Sequence, residues 1–483
     1  MDTVNGNYIN GRWASSSDNR TYEQRNPADL TEITGRWPKS TVQDTQQAIQ
    51  AAERAFGPWS ALTVYQRHEY LRKALEVIEK NKTCISQMIT RENGKTLKES
   101  QMEIESSRKE MEFLMHEGLR MAGTLMPSRV EGVLAYSIRV PLGVVGIISP
   151  WNFPFNVPCR KVIPALMMGN TCIFKPTNLT PGCGAEFVKL FEQAGLPAGV
   201  LNMVTGSGSI IGGELVANPA VKAVSFTGST EVGRQINQSA AATFTRTQLE
   251  MGGKNPMIVL ADADLEKAAD DAVLAGFACA GQWCTSTSRI ILEKSIAGDF
   301  LTLLLERTAR ITVGKGTEEK TRMGPVCGQG QMDSILAAIE RGKQEGARLI
   351  AGGRRISTEG LQHGCFIEPT LFSDVTPDMD LAQEEIFGPV LSILTVSHLE
   401  EALEVANGVK YGLSSSIYTR DLEKAFRFLE QTEAGITHVN MPTAHKEAQL
   451  SFGGVKLSGH GIPESGKTGF EFFSEHKVIY IQY

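Results

Sequence analysis

The middle of the chain alternates short apolar runs with segments of helical periodicity, and this alternation limits the possible folds. Strand-like runs at 144–148, 171–174, 201–204 and 223–226 alternate with helix-like segments at 158–168, 184–194, 209–217 and 231–241. A second series follows, with strands at 257–260, 289–292, 390–394 and 414–418 and a helix over 265–280. Repeated βαβ units predict an α/β protein with two doubly wound, mainly parallel sheets.

The ends of the chain add helices and a terminal strand. Helical spacing at 45–56, 65–81 and 98–120 predicts outer helices, and 8–13 reads as strand, turn and strand. A length of 483 residues exceeds one compact core, so two or three units are expected, with a boundary near Gly252 and Gly253. The alternating segment 477–481 predicts an exposed strand that favours an oligomer.

Composition excludes several classes of function. A net charge of −6 gives no reason to expect nucleic acid or an anionic membrane as a partner. The N-terminus lacks the layout of a secretory signal, and prolines interrupt the most apolar stretch, 140–157, so no spanning helix is expected. Eight scattered cysteines without CxxC predict reduced thiols in the cytoplasm, with neither a disulfide framework nor a metal site.

Four polar residues stand in unusual settings: Asn152, Lys175, Glu250 and Cys284. Cys284 follows a turn that favours a thiolate, although most single cysteines only pack. Lys175 ends a strand where ligands of parallel sheets bind, or is simply solvated. Asn152 either holds its loop or donates to a ligand, and Glu250 is either a general base or the salt-bridge partner of Lys254.

The segment 226–234 indicates a possible nucleotide site. A strand is expected to end at Phe226 and a helix to begin near Ser229, so the first helical turn offers free N–H groups to an anion. Gly228 leaves room for a phosphate, but its spacing to Gly233 is GxxxxG, and a plain strand-to-helix turn explains it equally well. A glycine–serine loop at 206–209 is a second candidate.

Taken together, these motifs closely resemble the aldehyde dehydrogenase superfamily from Tyr8 nearly to the C-terminus. The resemblance rests on eight segments in matching order: 150–154, 174–176, 226–229, 249–254, 281–284, 384–389, 407–413 and 451–456. It implies a cofactor domain (1–121 and 142–251), a catalytic domain (252–455) and a small β oligomerisation domain (122–141 and 456–483). Dimers or tetramers are implied as well.

The resemblance also implies roles for individual residues. Cys284 is the implied nucleophile, Asn152 with the Cys284 N–H the oxyanion hole, and Glu250 the general base that activates water. An aldehyde would pass through a thiohemiacetal and a thioester to a carboxylic acid, with NAD or NADP as oxidant. The implied cofactor contacts are Ile148, Ser149, Pro150, Trp151, Lys175, Thr177, Asn178, Gly208, Phe226, Thr227, Gly228, Ser229, Gly233, Leu249, Gly252, Glu385 and Phe387.

Two departures bear on specificity. Many NAD-preferring relatives carry Glu where this chain has Asn178, and because an amide does not repel a 2′-phosphate, we expect NADP to be tolerated. Arg160, eight residues after Asn152, suits a carboxylate or sulfonate and predicts a small anionic semialdehyde; a structural arginine paired with an acid is the alternative. Other expected pocket residues are Phe153, Asn156, Trp283, Thr285 and His445, the last of which is otherwise a solvated loop residue.

Other functions are weighed against this hypothesis. An uncharged aliphatic or aromatic aldehyde is the first alternative substrate. A coenzyme-A-acylating enzyme is disfavoured because such relatives lack a base at the position of Glu250. A non-enzymatic protein on the same scaffold is disfavoured because all four chemical residues are present.

Overall fold

A computed structural model describes residues 5–483, in which the strands form two large sheets and three small ones. The first sheet has the strand order β2-β1-β9-β8-β7-β10-β11-β21. Its strands are β1 Asn7–Ile9, β2 Arg12–Ala14, β7 Val144–Ile148, β8 Thr171–Lys175, β9 Leu201–Met203, β10 Val221–Thr227, β11 Arg246–Glu250 and β21 Gly459–His460. The strands from β9 to β11 are parallel, whereas β1, β2 and β21 pair antiparallel at the two edges.

The second sheet has the order β14-β15-β16-β13-β12-β18-β19 and is parallel except for its edge strand β14. Its strands are β12 Asn255–Val259, β13 Thr287–Glu293, β14 Arg348–Ala351, β15 Thr370–Ser373, β16 Val390–Val396, β18 Ser414–Tyr418 and β19 Ile436–Val439. The first sheet's β11 ends five residues before β12 begins, near the glycine pair. The prediction of two doubly wound α/β sheets is confirmed.

The small sheets are antiparallel. One has the order β22-β6-β5, formed by β5 Leu125–Met126, β6 Val133–Pro141 and β22 Ser474–Gln482. Two hairpin-like pairs join β3 Thr21–Asn26 to β4 Asp29–Pro38 and β17 Tyr411–Gly412 to β20 Val455–Lys456. The segment 456–483 was predicted to belong to the oligomerisation domain. Of its strands, β22 lies in the three-stranded sheet, whereas β21 belongs to the first large sheet. The division into three domains stays a prediction.

Fourteen helices cover the sheets in residues 5–483. Those of the first half are α1 Val42–Ser60, α2 Val64–Asn93, α3 Leu97–Gly118, α4 Asn156–Met167, α5 Pro181–Gln193, α6 Gly208–Ala217 and α7 Thr230–Ala240. Those of the second half are α8 Leu265–Phe277, α9 Ala297–Thr308, α10 Gln329–Gln344, α11 Asp380–Gln383, α12 Leu399–Asn407, α13 Leu422–Gln431 and α14 Gly466–Phe472. Within this range, none combines the length and apolar character that a bilayer crossing needs.

Reciprocal side-chain caps start the three long N-terminal helices. Thr41, Thr63 and Thr96 each accept a hydrogen bond from the backbone N–H three residues later, and the side chain there accepts from the threonine N–H. The third residue is Asp44 in α1, Gln66 in α2 and Glu99 in α3. Both α1 and α2 run beyond the predicted segments, because polar residues at the ends of those segments interrupt the apolar periodicity from which they were read.

Candidate active site

The carboxyl edge of the first sheet brings the predicted cofactor residues together. Strand register places Ile148 beside Lys175 and Phe226, and Thr227 beside Glu250. Ser149 continues the alignment, since its N–H donates to the Lys175 carbonyl at 3.2 Å, and Leu249 is buried next to Glu250. Parallel strands therefore deliver residues that are far apart in sequence to one ligand-binding edge.

Several polar groups at this edge have no protein partner, as a nucleotide site requires. Among residues 5–483, the Lys175 ammonium makes no hydrogen bond, and the buried atoms Asn178 Oδ1 and Thr227 Oγ1 are unsatisfied. Burial lowers the pKa of the Lys175 ammonium to about 8. Such orphaned groups are unfavourable unless a ligand or water completes them, so these residues fit NAD or NADP. Thr177, adjacent to Asn178, accepts from Leu179 N–H at 3.4 Å.

The glycines of this edge have packing reasons as well. A side chain at Gly228 would lie 2.4 Å from the Phe226 ring, and one at Gly233 would lie 2.5 Å from Met251 Sδ. Ser229 caps α7 by accepting from Val232 N–H. Gly208 starts α6, and a side chain there would come within 4.0 Å of Lys175 Nζ. The predicted strand-to-helix turn is present, and its glycines serve close packing whether or not a phosphate binds.

Cys284 follows a strained turn at the end of α8. Cys279, Ala280 and Gly281 have φ angles of 52°, 56° and 67°, all in the left-handed region. The Cys284 carbonyl accepts from Asn255 Nδ2 at 2.8 Å. Burial raises the pKa of the Cys284 thiol to about 12; the charge of Arg160 opposes this, and three carboxylates, including Glu250, reinforce it. The thiol therefore needs activation before it can react as a thiolate. The charges of Arg160 and Glu250 both act on its pKa, so both residues lie near it.

The loop before α4 carries Asn152 beside the thiol turn. Asn152 is 5% exposed, and its Oδ1 accepts from Phe153 N–H at 3.1 Å. Its donor end, Nδ2, has no partner in the described range, as an oxyanion donor requires. Phe153 packs on Trp283 with ring centroids 4.9 Å apart, so this loop contacts the residue before Cys284.

Glu250 is a buried carboxyl with a raised pKa. It is 3% exposed and its Oε2 is unsatisfied; burial and the nearby Glu464 raise its pKa, while Lys161 and Arg160 oppose the shift. The alternative of a salt bridge with Lys254 is not observed, since Lys254 Nζ is buried without a partner and burial lowers its pKa to about 7. A raised pKa makes the ionised carboxylate a stronger general base.

Glu385 and Phe387 lie on a loop packed against the thiol turn. Glu385 Oε1 accepts from Gly253 N–H at 3.0 Å, and a side chain at Gly252 would collide with its carboxylate. Burial raises the pKa of Glu385 to about 7. The Phe387 ring meets the Trp151 ring edge-on at 5.3 Å. These contacts place Glu385 and the Trp151–Phe387 pair, with Pro150 next to it in sequence, beside segments that carry the residues predicted to be catalytic.

The same loop approaches the turn before Cys284 through bare backbone. A side chain on Gly281 would lie 2.2 Å from the Gly388 carbonyl oxygen. Gly281 also has a φ of 67°, so both conformation and space require glycine there. The backbones of the turn and of the Phe387 loop are therefore in direct contact.

Arg160 is buried and partly unsatisfied. Its guanidinium lies over the Phe452 ring at 4.6 Å, and its Nη1 forms an ion pair with Glu464 Oε1 at 3.2 Å. Within residues 5–483, Nε and Nη2 make no hydrogen bond. The arginine therefore has the acid neighbour of the structural alternative and also free donors. Arg160 and Asn152 do not share a helical face, because α4 begins at Asn156 and Asn152 lies in the preceding loop.

The other predicted pocket residues differ in how free they are. Asn156 is fully engaged: its Nδ2 donates to Ser107 and Glu110, and its Oδ1 accepts from Lys446 Nζ at 3.1 Å. The side chain of His445 is 43% exposed and 3.7 Å from Glu447, which matches the solvated-loop alternative. Thr285 is buried directly after Cys284.

Sequence reasoning missed the buried charges around Arg160. Lys161 Nζ is 2.7 Å from Glu464 Oε2 and donates to Ser225 at 2.8 Å. Lys446 Nζ is 2.8 Å from the buried carboxylate of Glu110. One signal was available for Lys161. It follows Arg160 in a mostly apolar segment that forms a helix buried on all sides, and two adjacent buried cations both need acidic partners. No local pattern marks Glu464 or Lys446.

Comparison with known proteins agrees with this geometry. The model of the aldehyde dehydrogenase family matches residues 13–479, and the chain belongs to that family. It is 43% identical over 476 residues to an alpha-ketoglutaric semialdehyde dehydrogenase of Bacillus subtilis, covering 99% of this chain and 98% of that protein. It is also 41% identical over 472 residues to a 2,5-dioxopentanoate dehydrogenase of Saccharolobus solfataricus, covering 97% and 98%.

Solved structures match equally well. Betaine aldehyde dehydrogenase of Staphylococcus aureus in complex with NAD+ superposes with a TM-score of 0.96 at 33% identity, covering 99% of this chain and 94% of that one. A structure described as an NADP-dependent enzyme of E. coli gives the same TM-score and identity, covering 99% and 98%. The protein is thus an aldehyde-oxidising oxidoreductase that uses NAD(P)+.

Proposed function

We propose that the enzyme oxidises a small semialdehyde carrying a carboxylate, with a five-carbon 2-oxo acid such as 2,5-dioxopentanoate as the leading candidate. The observation that carries this proposal is the buried Arg160 guanidinium, whose Nε and Nη2 make no hydrogen bond within residues 5–483. Relatives named for this semialdehyde at 41–43% identity support the carbon skeleton.

The charge around Arg160 favours an anion. Burial lowers the pKa of Arg160, but Glu464 and Glu110 raise it by more than burial lowers it, so the guanidinium stays charged. Glu464 also faces Lys161, and Glu110 is shared with Lys446, so neither acid belongs to Arg160 alone. Arg160 Nη1 faces Glu464, whereas Nε and Nη2 on the other edge of the guanidinium make no hydrogen bond within residues 5–483. A substrate carboxylate can accept from Nε and Nη2 together, the bidentate geometry that arginine offers and lysine does not.

The proposed chemistry follows from three residues. Cys284 thiolate adds to the aldehyde carbon, and the oxyanion accepts hydrogen bonds from Asn152 Nδ2 and the Cys284 N–H. The bound nicotinamide supplies the chemistry of hydride acceptance. Glu250 then takes a proton from the water that attacks the thioester, which releases the acid and the thiol.

The proposed cofactor contacts centre on Lys175 for the ribose and on Glu385 with Phe387 for the nicotinamide side. Asn178 has an unsatisfied amide oxygen and no charge, so it can meet either a ribose hydroxyl or, after an amide flip, a 2′-phosphate. We therefore propose that the enzyme accepts both NAD and NADP.

We also propose a homodimer or homotetramer built through the three-stranded sheet. β22 is an edge strand of nine residues, and it exposes Val478, Tyr480 and Ile481. A long edge with exposed apolar side chains is a pairing surface unless another copy covers it.

A substrate panel tests the proposal. We would measure kcat/KM with 2,5-dioxopentanoate, succinate semialdehyde, benzaldehyde and a short alkanal, with and without coenzyme A. We expect kcat/KM for the anionic substrates to exceed that for the uncharged ones by at least about tenfold, because the carboxylate adds at least one charge-assisted hydrogen bond. An equal or reversed order, or a rate that requires coenzyme A, would overturn it. Cys284→Ala should be inactive, and the exposed Cys84→Ala is the matched control.

A further inference from the structure

Helix α3 presents a row of carboxylates to the active site. Glu99, Glu103 and Glu110 lie at helical spacing on one face, and each binds a different segment of the chain. Glu99 reaches the turn before Cys284, Glu103 reaches the start of α4, and Glu110 reaches Lys446 and Ser465. One rigid helix therefore contacts three of the segments that surround the thiol.

Glu99 has two separate tasks. Its Oε2 closes the cap of α3 by accepting from the Thr96 N–H at 2.8 Å. Its Oε1 accepts from the Cys279 N–H at 2.7 Å, across 180 residues of sequence. Both oxygens are thus committed, and the second bond ties α3 to the turn that leads to the nucleophile.

The bound turn is one that needs support. Cys279 and Ala280 are non-glycine residues in the left-handed region, a conformation that L-residues adopt only when the surroundings enforce it. Gln282 holds the other side, since its Nε2 donates to the Cys279 carbonyl at 3.0 Å and its Oε1 accepts from Cys327 N–H at 2.8 Å. Glu99 and Gln282 together fix both polar groups of the Cys279 backbone.

Glu103, one turn further along α3, holds the oxyanion loop. Its Oε1 accepts from Phe155 N–H at 2.9 Å and Asn156 N–H at 3.1 Å, just after Asn152. Its Oε2 pairs with Lys95, whose ammonium lies 3.7 Å over the Phe153 ring. Four residues of helix span about 6 Å, so the supports of the two loops are a fixed, short distance apart.

We propose that Glu99 is a positioning residue for the nucleophile. By holding the left-handed turn on the helix that also holds the Asn152 loop, it sets the thiol relative to the oxyanion donor. This inference rests on the proposed roles of Cys284 and Asn152.

Glu99→Gln tests it with little disturbance of the fold. A glutamine closes such a cap, as Gln66 does for α2. Its single oxygen cannot then also accept from Cys279. Asp44→Asn is the matched control: Asp44 closes the cap of α1 with Oδ2 and accepts from Ser17 N–H with Oδ1, outside the site.

We expect Glu99→Gln to lower kcat and kcat/KM together by at least about tenfold, with KM within about threefold, because a misplaced nucleophile weakens the transition state rather than binding. Asp44→Asn should lower the Tm similarly and leave kcat within about twofold. Adding Ala280→Gly to Glu99→Gln should restore part of the kcat, since glycine adopts the left-handed turn without support.

The outcomes separate this inference from the proposed function. If Glu99→Gln matches Asp44→Asn in kcat, or if Ala280→Gly gives no rescue, Glu99 does not position the thiol. If instead Cys284→Ala retains activity, the proposed function itself fails. If Glu99→Gln loses secondary structure by circular dichroism, the change would be made in a Cys279→Gly background, where the turn needs no support. The double variant should fold and keep the kcat of Cys279→Gly alone; a further loss of kcat would overturn the proposal.

Discussion

Replacing Arg160 with lysine tests anion recognition directly. Lysine keeps the positive charge beside Glu464 and Glu110, so the buried acids remain paired. It removes the guanidinium fork formed by Nε and Nη2, neither of which makes a hydrogen bond within residues 5–483. A lysine can still offer one donor, so the net loss is one charge-assisted hydrogen bond to the substrate, about 1.5–3 kcal/mol.

That loss converts to a measurable ratio. At about 1.4 kcal/mol per decade, kcat/KM for an anionic semialdehyde should fall by roughly 10- to 150-fold. The value for a short uncharged alkanal should change by less than about threefold, because it makes no use of the fork. Initial rates of NAD(P)H formation under saturating cofactor give both numbers from one preparation.

The control is Arg354→Lys, the same substitution at a side chain that is 80% exposed and paired with Glu368. It should leave both values unchanged. Equal losses for the anionic and uncharged aldehydes in Arg160→Lys would show that Arg160 supports the fold rather than the substrate. An unchanged anionic kcat/KM would refute the proposal outright.

Three further outcomes are expected. Glu250→Gln should release about one equivalent of NAD(P)H per site and then slow by at least about 100-fold, as stopped-flow absorbance would show; no burst would contradict a deacylation role. Because burial and Glu464 raise the Glu250 pKa, the wild-type rate should rise as pH rises through that pKa, and the variant should lose this limb. Asn178→Glu should lower kcat/KM for NADP by at least about tenfold while NAD changes little, by 2′-phosphate repulsion; parallel losses would remove Asn178 from that site. The last outcome concerns Glu110. Burial alone would raise the pKa of Glu110, but Lys446 and Arg160 lower it to about 2, below its usual 4.5. The ionised Glu110 therefore stabilises the fold above pH 4.5, and this stabilisation is lost as the pH falls from 4.5 through 2. Acid should thus lower the wild-type Tm more than that of Glu110→Gln, by at most about 3 kcal/mol of differential stability, and equal pH profiles in thermal melts would count against the pairing.

The sheet and its ligand edge could be predicted because they follow from local patterns. Apolar runs separated by helical segments define parallel strands, and the ends of parallel strands meet at one edge. Lys175, Thr227 and Glu250 are therefore placed by register alone, and the structure aligns them as expected. The start of α4 at Asn156 could not be read from periodicity, since polar and aromatic residues precede it without a clear cap.

The buried charge cluster depended on long-range packing. Glu464 and Lys446 lie more than 280 residues after Arg160 and Asn156, in loops without periodicity. Only the return of those loops to α3 and α4 shows that Asn156 is engaged and that Arg160 has both an acid neighbour and free donors. The sequence alone could not decide whether Arg160 and Asn156 are structural or bind substrate, because the two roles differ in tertiary contacts and not in residue type.

The backbone contact between Gly281 and Gly388 has a consequence for engineering this enzyme. With a Cβ excluded at Gly281, the Phe387 loop cannot shift towards the thiol turn without displacing it. Redesign of nicotinamide contacts through this loop therefore changes a constraint on the cysteine as well. Libraries that vary residues 384–389 should be screened for thiol reactivity together with cofactor choice, since both properties depend on the contact between Gly281 and Gly388.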